Sequence, residues 1–293
     1  MKSIRHFIEY CLARIVLLLV DTLPFAISCL VARGAGSLWW AFDHRRRKVA
    51  RDNIVRSGIE TDPKRALTMA RGATRHMALV IVESLRSHQF LTSERFRDHV
   101  ELKIKPDVLA ALENPDQGLI MASGHFGNWE IAAHFLSRYK PVVGITRQMN
   151  NPLMEKLVQS RKSSHRFRPI PKRDRNSARF LEVLENKEIL ALLFDQHAAT
   201  HNMMIDFFEH PAATFKTVAM LHLVTRAPLC FGACKRVGPQ KFEISTSHLI
   251  QCPPSGNKNE DIRSILIQLT QYLEEAIRQA PDQYIWGHRR WRD

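Results

Sequence analysis

The chain is predicted to be α/β: a largely parallel central sheet flanked by helices, preceded by a helical N-terminal extension. Three observations predict it. Between about residues 100 and 246, short apolar runs alternate with stretches of helical length, the pattern of strand–helix–strand units. Residues 118–123 (GLIMAS) are almost continuously apolar, as in a strand covered on both faces of a parallel sheet. The residues before about 95 carry helical periodicity instead.

Taken in order, Lys2 and Arg5 come first and an apolar stretch follows. From Ile15 to Ala32 (IVLLLVDTLPFAISCLVA) there is one charge, Asp21, and one proline, Pro24. The run is short of the ~20 residues a spanning helix needs, and Asp21 near its middle is costly in lipid. No A-x-A cleavage site follows closely, which argues against a removed signal peptide. Next comes Asp43-His44-Arg45-Arg46-Arg47-Lys48, then Arg51 and Arg56. An apolar helix followed by a basic cluster reads as an interfacial anchor on anionic lipid. The competing reading is a pair of core helices broken at Thr22-Leu23-Pro24. We divide the chain into a membrane-associating segment, residues 1–40, and a single larger domain, residues 41–293.

Thr61-Asp62-Pro63 is a cap followed by proline, and opens a helix to about Phe90 with a stripe through Leu67, Ala70, Thr74, Met77, Val80 and Ile81. Strands are expected at 100–104, 118–123, 141–145, 189–194, 229–233 and 242–246. Helices are expected at 128–137, 151–165, 177–186, 214–226 and 261–280, with a turn-rich loop at 252–259.

The 293 residues are 45% apolar and 25% charged, which excludes a disordered tail, a collagen and a multi-span membrane protein. The net charge of +14 calls for a polyanionic partner: nucleic acid, an anionic membrane or a phosphorylated substrate. From Arg138 to Arg175 there are eleven Lys and Arg against Glu155 and Asp174. The basic run 161–175 has Phe167 as its one aromatic and no nucleic-acid-binding motif accompanies it, so the alternative of a basic nucleic-acid-binding protein is set aside. The five cysteines (Cys11, Cys29, Cys230, Cys234, Cys252) contain no C-x-x-C pair and read as free thiols. No metal site and no cofactor is expected.

The chemistry concentrates in Ser123-Gly124-His125-Phe126-Gly127-Asn128-Trp129-Glu130, where a buried strand gives way to a helix. Functional groups of open α/β sheets gather at the carboxyl ends of strands. Gly124 and Gly127 allow a sharp turn around His125. His125 and Glu130 are five residues apart, about 140° around a continuous helix and poorly placed for contact. With His125 in the turn and Glu130 in the first helical turn, the two can meet. A carboxylate on one ring nitrogen fixes the tautomer and makes the other nitrogen a better base. The same spacing also fits a histidine capping a helix beside an unrelated glutamate.

GHFGNWE resembles the H-x4-D/E motif of the glycerolipid and lipid A acyltransferases, in the form found in the late lauroyl and myristoyl transferases of lipid A biosynthesis. The resemblance continues through Arg147, Asn151-Pro152 and Arg161. It includes Phe194-Asp195-Gln196, Phe207-Phe208 with Pro211-Ala212-Ala213-Thr214, Pro281-Asp282-Gln283-Tyr284 and Trp286-Gly287-His288-Arg289-Arg290-Trp291. Glu209, His197 and Phe215-Lys216 depart from the family pattern, which bears on acyl chain and acceptor.

This resemblance implies a glycerolipid-acyltransferase-like fold and transfer of an acyl chain from an acyl carrier protein thioester to a hydroxyl of a lipid A precursor or related glycolipid. A phospholipid or other glycolipid is the alternative acceptor, and acyl-coenzyme A the alternative donor. It implies His125 as general base, Glu130 as the carboxylate that orients it, Arg161 for the oxyanion or a phosphate, and Arg147 for a phosphate. Asn128 is expected to hold the turn or donate a hydrogen bond, and Asp195 and Gln196 to contact substrate or close a strand end. The implied location is the bacterial inner membrane with the site facing the cytoplasm, and the implied partners are acyl carrier protein, an anionic lipid acceptor and the membrane surface.

Overall fold

The computed structural model of the chain describes residues 2–91, 95–162, 166–171 and 178–292. The apolar N-terminal run is broken where the sequence places proline: α1 (Lys2–Thr22) ends before Pro24, and α2 (Phe25–Phe42) begins after it. Asp43 caps α3 (His44–Arg56) by accepting the backbone N–H of Arg46 at 2.9 Å. Asp62 caps α4 (Pro63–Phe90), accepting from Lys64 and Arg65 at 2.9 and 2.8 Å, with Pro63 in the first turn.

α2 lies on α4 along its small residues Ser28, Ala32 and Gly36. A Cβ at Gly36 would meet the Arg75 Cα at 3.0 Å, so the two helices pack backbone to backbone. The larger apolar side chains of α2 face outward, Leu30 at 70% exposure and Phe42 at 76%. The N-terminal helices are therefore two as the proline suggests, but their apolar surface is not buried as in a core pair.

After a short helix α5 (Phe96–His99), the α/β portion follows: β1 (Val100–Lys103), α6 (Pro106–Glu113), β2 (Leu119–Ser123), α7 (Trp129–Leu136) and β3 (Val142–Thr146). Next come α8 (Pro152–Lys162), β4 (Phe167–Pro171), α9 (Ala178–Glu185) and β5 (Ile189–Leu193). A hairpin of β6 (Asn202–Phe207) and β7 (His210–Phe215), then α10 (Thr217–Thr225), β8 (Leu229–Gly238), β9 (Lys241–Thr246) and α11 (Lys258–Gln279) complete it. Among the described residues, seven strands form one sheet in the order β1-β9-β8-β2-β5-β3-β4, parallel throughout except between β8 and β9. This is the expected α/β class. Alternate residues of β2 feed two cores: Ile120 and Ala122 one, Leu119 and Met121 the other. That two-sided burial is why the strand reads as an unbroken apolar run.

Some elements differ from expectation for local reasons. β4 contains Pro169 and Pro171, which a strand tolerates only where its donors face no neighbour, and it is an edge strand. The helix expected from 214 starts at Thr217, because Thr214 and Phe215 pair with Met203 and Asn202 in the hairpin. Residues 163–165 of the expected helix 151–165 lie outside the described residues. Lys140, counted in the basic stretch, is buried; its Nζ donates to the carbonyls of Ala111, Asn114 and Gln117 at 3.2, 2.5 and 2.6 Å. It satisfies carbonyls left over at the end of α6 and adds nothing to the charged surface.

Candidate active site

β2 and β5 are adjacent and parallel, with Ser123 opposite Leu193. Two residues beyond each, His125 and Asp195 stand level at the carboxyl ends of their strands. Asp195 holds His125 at two points. Its Oδ2 accepts the backbone N–H of His125 at 2.9 Å, and its Oδ1 lies 2.8 Å from the ring Nδ1. Asp195 is 1% exposed. Burial opposes its charge, but the contacts with His125 and the nearby Arg290 hold its carboxyl below the usual carboxylate range. Tyr284, whose hydroxyl burial and Asp195 push well above its ordinary range, stays protonated beside the same carboxylate. An ionised acceptor at Nδ1 requires the proton on Nδ1, so the neutral ring carries its lone pair on Nε2. The side-chain amide nitrogen of Gln196 lies 3.3 Å from that Nε2. The Trp129 ring meets the imidazole edge-on at 5.2 Å between centroids.

The carboxylate bonded to Nδ1 is thus Asp195, where spacing alone placed Glu130. Glu130 lies in the first turn of α7, one step past the turn that carries His125. It lines the place where two apolar clefts come together. Strand pairing across seventy residues brings Asp195 in, and no local spacing reports that.

The turn itself is stitched to the rest of the fold. Gly127 has φ +58°, and a Cβ there would lie 1.9 Å from the Cys234 carbonyl oxygen, so only glycine fits. That carbonyl accepts the N–H of Asn128 at 2.8 Å, and the Gly127 N–H donates to Gln283 at 2.9 Å. Asn128 is fully buried, caps α7 by accepting the N–H of Ile131 at 3.2 Å, and donates to Glu83 at 3.1 Å. It holds the turn and presents nothing to the clefts. Two residues of α4 that sequence reasoning passed over support the same turn. His76 Nε2 lies 3.1 Å from the Gly127 carbonyl, and Glu83 receives the Asn128 amide with Arg236 at 3.5 Å. Burial lowers His76 to about 4 and raises Glu83 to about 7.

The C-terminal segment closes the site from the other side. Ile285 N–H donates to the His125 carbonyl at 3.2 Å. Arg290 is buried and donates to Ala213, Gln196 and Thr214 at 2.7, 3.3 and 2.6 Å, tying the end of β5 to β7. Trp286 and Trp291 are core residues. The Pro-Ala-Ala-Thr and Trp-Gly-His-Arg-Arg-Trp segments singled out in the sequence are therefore in mutual contact around the strand end that carries Asp195.

Among the described residues, three hollows lie near the centre. A narrow apolar cleft of about 110 Å³ runs between the sheet and α7, past Trp129 and Glu130 toward Phe167. A wider apolar groove of about 720 Å³ lies between α1, α4, α7 and α8 and also reaches Trp129 and Glu130. A polar cleft of about 720 Å³ contains Gln196 and Arg147. Arg147 is exposed at the end of β3. The side chain of Arg161 lies outside the described residues; its backbone is in α8. Burial pushes the thiols of Cys230 and Cys234 up, which makes both poor nucleophiles. Among the described residues, no group of three or more His, Cys, Asp or Glu is placed to hold a metal ion.

Comparison with known proteins places the chain in a family. The family model of the bacterial lipid A biosynthesis acyltransferases matches residues 1–293. The chain is 24% identical over 273 residues to the lipid A biosynthesis palmitoleoyltransferase of Escherichia coli (strain K12), covering 92% of this chain and 86% of that protein. It is 22% identical over 282 residues to the lipid A biosynthesis lauroyltransferase of the same organism, covering 94% and 89%. A lipid A biosynthesis acyltransferase of Haemophilus influenzae is 22% identical, over 92% of this chain and 86% of the relative. The family match over the full length leads to one conclusion: the chain belongs to the bacterial lipid A biosynthesis acyltransferases.

Proposed function

We propose that this enzyme moves a fatty acyl chain from an acyl carrier protein thioester to a hydroxyl of a lipid A precursor, with His125 as general base. The observation that carries the reading is the lock on the imidazole. Asp195 fixes Nδ1, so the lone pair of Nε2 faces Gln196, which lines the polar cleft. The acceptor hydroxyl displaces the Gln196 amide and gives its proton to Nε2. Its oxygen attacks the thioester carbonyl, the tetrahedral oxyanion collapses, and the carbon–sulfur bond breaks. The proton on Nε2 passes to the departing thiolate, which leaves as the thiol. Asp195 and Glu130 stabilise the transient imidazolium, and Arg161 serves the oxyanion. By helical spacing, position 161 follows the row of Met154, Leu157 and Val158, which lines the wider apolar groove.

The largely apolar linings of the cleft and groove that share Trp129 and Glu130 fit a hydrocarbon chain. The outward apolar side chains of α1 and α2 fit a bilayer surface, the inner membrane of a bacterium with the site on the cytoplasmic side. Exposed Arg138, Lys156 and Arg166 give the acidic carrier protein a landing surface.

The test is acylation of a hydroxylated lipid A precursor by purified protein with acyl carrier protein donors, read by mass spectrometry. His125→Ala is expected to abolish the added chain while keeping the fold. Near-normal transfer by folded His125→Ala protein, or a wild type that acylates no such acceptor, would overturn the reading.

A further inference from the structure

The polar cleft is built by three separate parts of the chain: the start of α3, the end of β3 and the C-terminal segment. Six arginines line it: Arg45, Arg46, Arg47, Arg147, Arg289 and Arg292. The one acidic residue of the lining is Asp43. Asp43 pairs with Arg46 at 3.5 Å; among the described residues Arg45, Arg147, Arg289 and Arg292 make no ion pair. Arg46 and Arg47 are held over Trp39 and Trp40 at 5.7 and 5.8 Å, which limits the freedom they lose on binding an anion.

The placement of Arg45, Arg46 and Arg47 works against their own helix. They occupy the first turn of α3, which has no acidic residue, at the end where the peptide dipoles already present positive charge. Each cation there weakens the helix. Crowding six cations around one hollow adds mutual repulsion. An anion seated in the cleft removes both penalties at once.

The cleft also opens on the reacting centre. Gln196 lines it and touches His125 Nε2. His288 lines it too, and burial lowers that ring to about 4. It is neutral, and its Nε2 accepts the N–H of His197 at 3.1 Å. The anion therefore meets guanidinium groups rather than a titrating imidazole. Trp39, at the outer wall, belongs to the same helix whose exposed face carries Leu38 and Phe42, so a lipid whose tails stay in the bilayer brings its head group here. The volume of about 720 Å³ suits a phosphorylated sugar more than a bare ion.

We infer that the cleft lined by Arg45, Arg46, Arg47, Arg147, Arg289 and Arg292 is a phosphate site that seats a phosphate group of the acceptor lipid beside His125. This rests on the acyl-transfer reading for its substrate, though not for its chemistry. An acyl carrier protein donor also carries a phosphate in its prosthetic arm, so the experiment separates the two sources.

Full-length protein and an Arg147→Ala/Arg289→Ala/Arg292→Ala variant are compared; all three side chains are exposed, so the core is undisturbed. In the first arm, inorganic pyrophosphate is the probe, with thermal denaturation and calorimetric binding as readouts. Wild type is expected to bind it and melt higher, and the variant to lose at least tenfold in affinity. This arm needs no acyl transfer, so it stands if the reaction has been misassigned. In the second arm, initial rates are measured with a bis-phosphorylated acceptor and with the same acceptor after phosphatase treatment. The variant is expected to raise the acceptor KM at least tenfold for the phosphorylated lipid and less than twofold for the dephosphorylated one. Its kcat and its KM for the acyl carrier protein donor are expected to stay within twofold. Equal pyrophosphate binding by both proteins, an equal KM rise for both acceptors, or a rise confined to the donor would each overturn the assignment.

Discussion

The carboxylate of Asp195 holds both the backbone nitrogen and the ring Nδ1 of His125, at 2.9 and 2.8 Å. One side chain thereby sets where the imidazole sits, which way it faces and which nitrogen carries the lone pair. Asp195→Asn keeps the shape and removes the charge. The amide can present N–H to Nδ1, and the ring then carries its proton on Nε2, where a base is needed. Turnover is expected to fall by on the order of 10² to 10⁴, with circular dichroism and melting unchanged in kind. Glu130→Gln assayed beside it separates the two carboxylates. A less than tenfold loss in Asp195→Asn, with a large one in Glu130→Gln, would return the orienting role to Glu130.

What could be read in the sequence here was local. β2, α7 and the glycine-flanked turn are visible because burial on two faces, a cap at Asn128 and the avoidance of side chains all leave marks within a few residues. Asp195 was visible as a residue at a strand end, but its partner was not. The register of β2 against β5 is a tertiary fact, set by the packing of the sheet. The edge strand β4 was hidden by its prolines, and the β6–β7 hairpin by the small residues of Pro211-Ala212-Ala213-Thr214. Support from His76 and Glu83 was hidden because polar residues on a helix face read as solvated until the helix is seen to be covered.

Gly127 gives a second test of that turn. A methyl group there must either displace the Cys234 carbonyl, 1.9 Å from the ideal Cβ, or leave the left-handed backbone at φ +58°. The conformational term alone costs about 1–2 kcal/mol for an L-residue, and moving a strand that receives the Asn128 N–H adds to it. Gly127→Ala is expected to lower the melting temperature and to remove activity. Gly34→Ala is the control: it has no atom within 4 Å and ordinary helical backbone. It is expected to be neutral or stabilising by about 0.5–1 kcal/mol. Equal behaviour of the two variants would show that the turn yields where the geometry says it cannot.

His76 and Glu83 respond to pH in opposite senses while holding adjacent residues of the turn. Burial places His76 at about 4 in the fold, below its ordinary 6.5. The unfolded chain then binds the proton first, and stability falls as pH drops from 6.5 toward 4. Burial places Glu83 at about 7 against 4.5, so its contribution is full below 4.5 and is lost as pH rises through 7. Each difference corresponds to about 3 kcal/mol, and the two oppose between pH 4.5 and 6.5. Glu83→Gln removes the opposing term. Urea unfolding at pH 7 and pH 5 is expected to show a steeper loss of stability on acidification in the variant than in wild type, and a shallower one in His76→Gln. Parallel pH dependence in all three proteins would contradict the assignment.

The anchor is better tested by charge than by deletion. Removing residues 1–40 would strip α2 from the close seam it makes with α4 at Gly36, where the Cβ-to-Arg75 approach is 3.0 Å, and would uncover α4 along with removing the outward apolar side chains. The outward side chains can be changed without touching that seam. Leu30, Leu38 and Phe42 are 70%, 61% and 76% exposed on α2, the one described helix that is long and apolar enough to cross a membrane. Leu30→Glu with Leu38→Glu replaces apolar contact by carboxylates that anionic lipid repels. If α2 lies against the bilayer, co-sedimentation with phosphatidylglycerol vesicles is expected to fall at least tenfold. Acylation of a detergent-dispersed acceptor is expected to stay within twofold, since neither residue lines the clefts that reach His125. Undiminished sedimentation would assign membrane contact to α1, whose outward Ile4, Phe7, Ile8 and Leu12 form a second apolar face, and the same substitutions made there would then decide between the two helices.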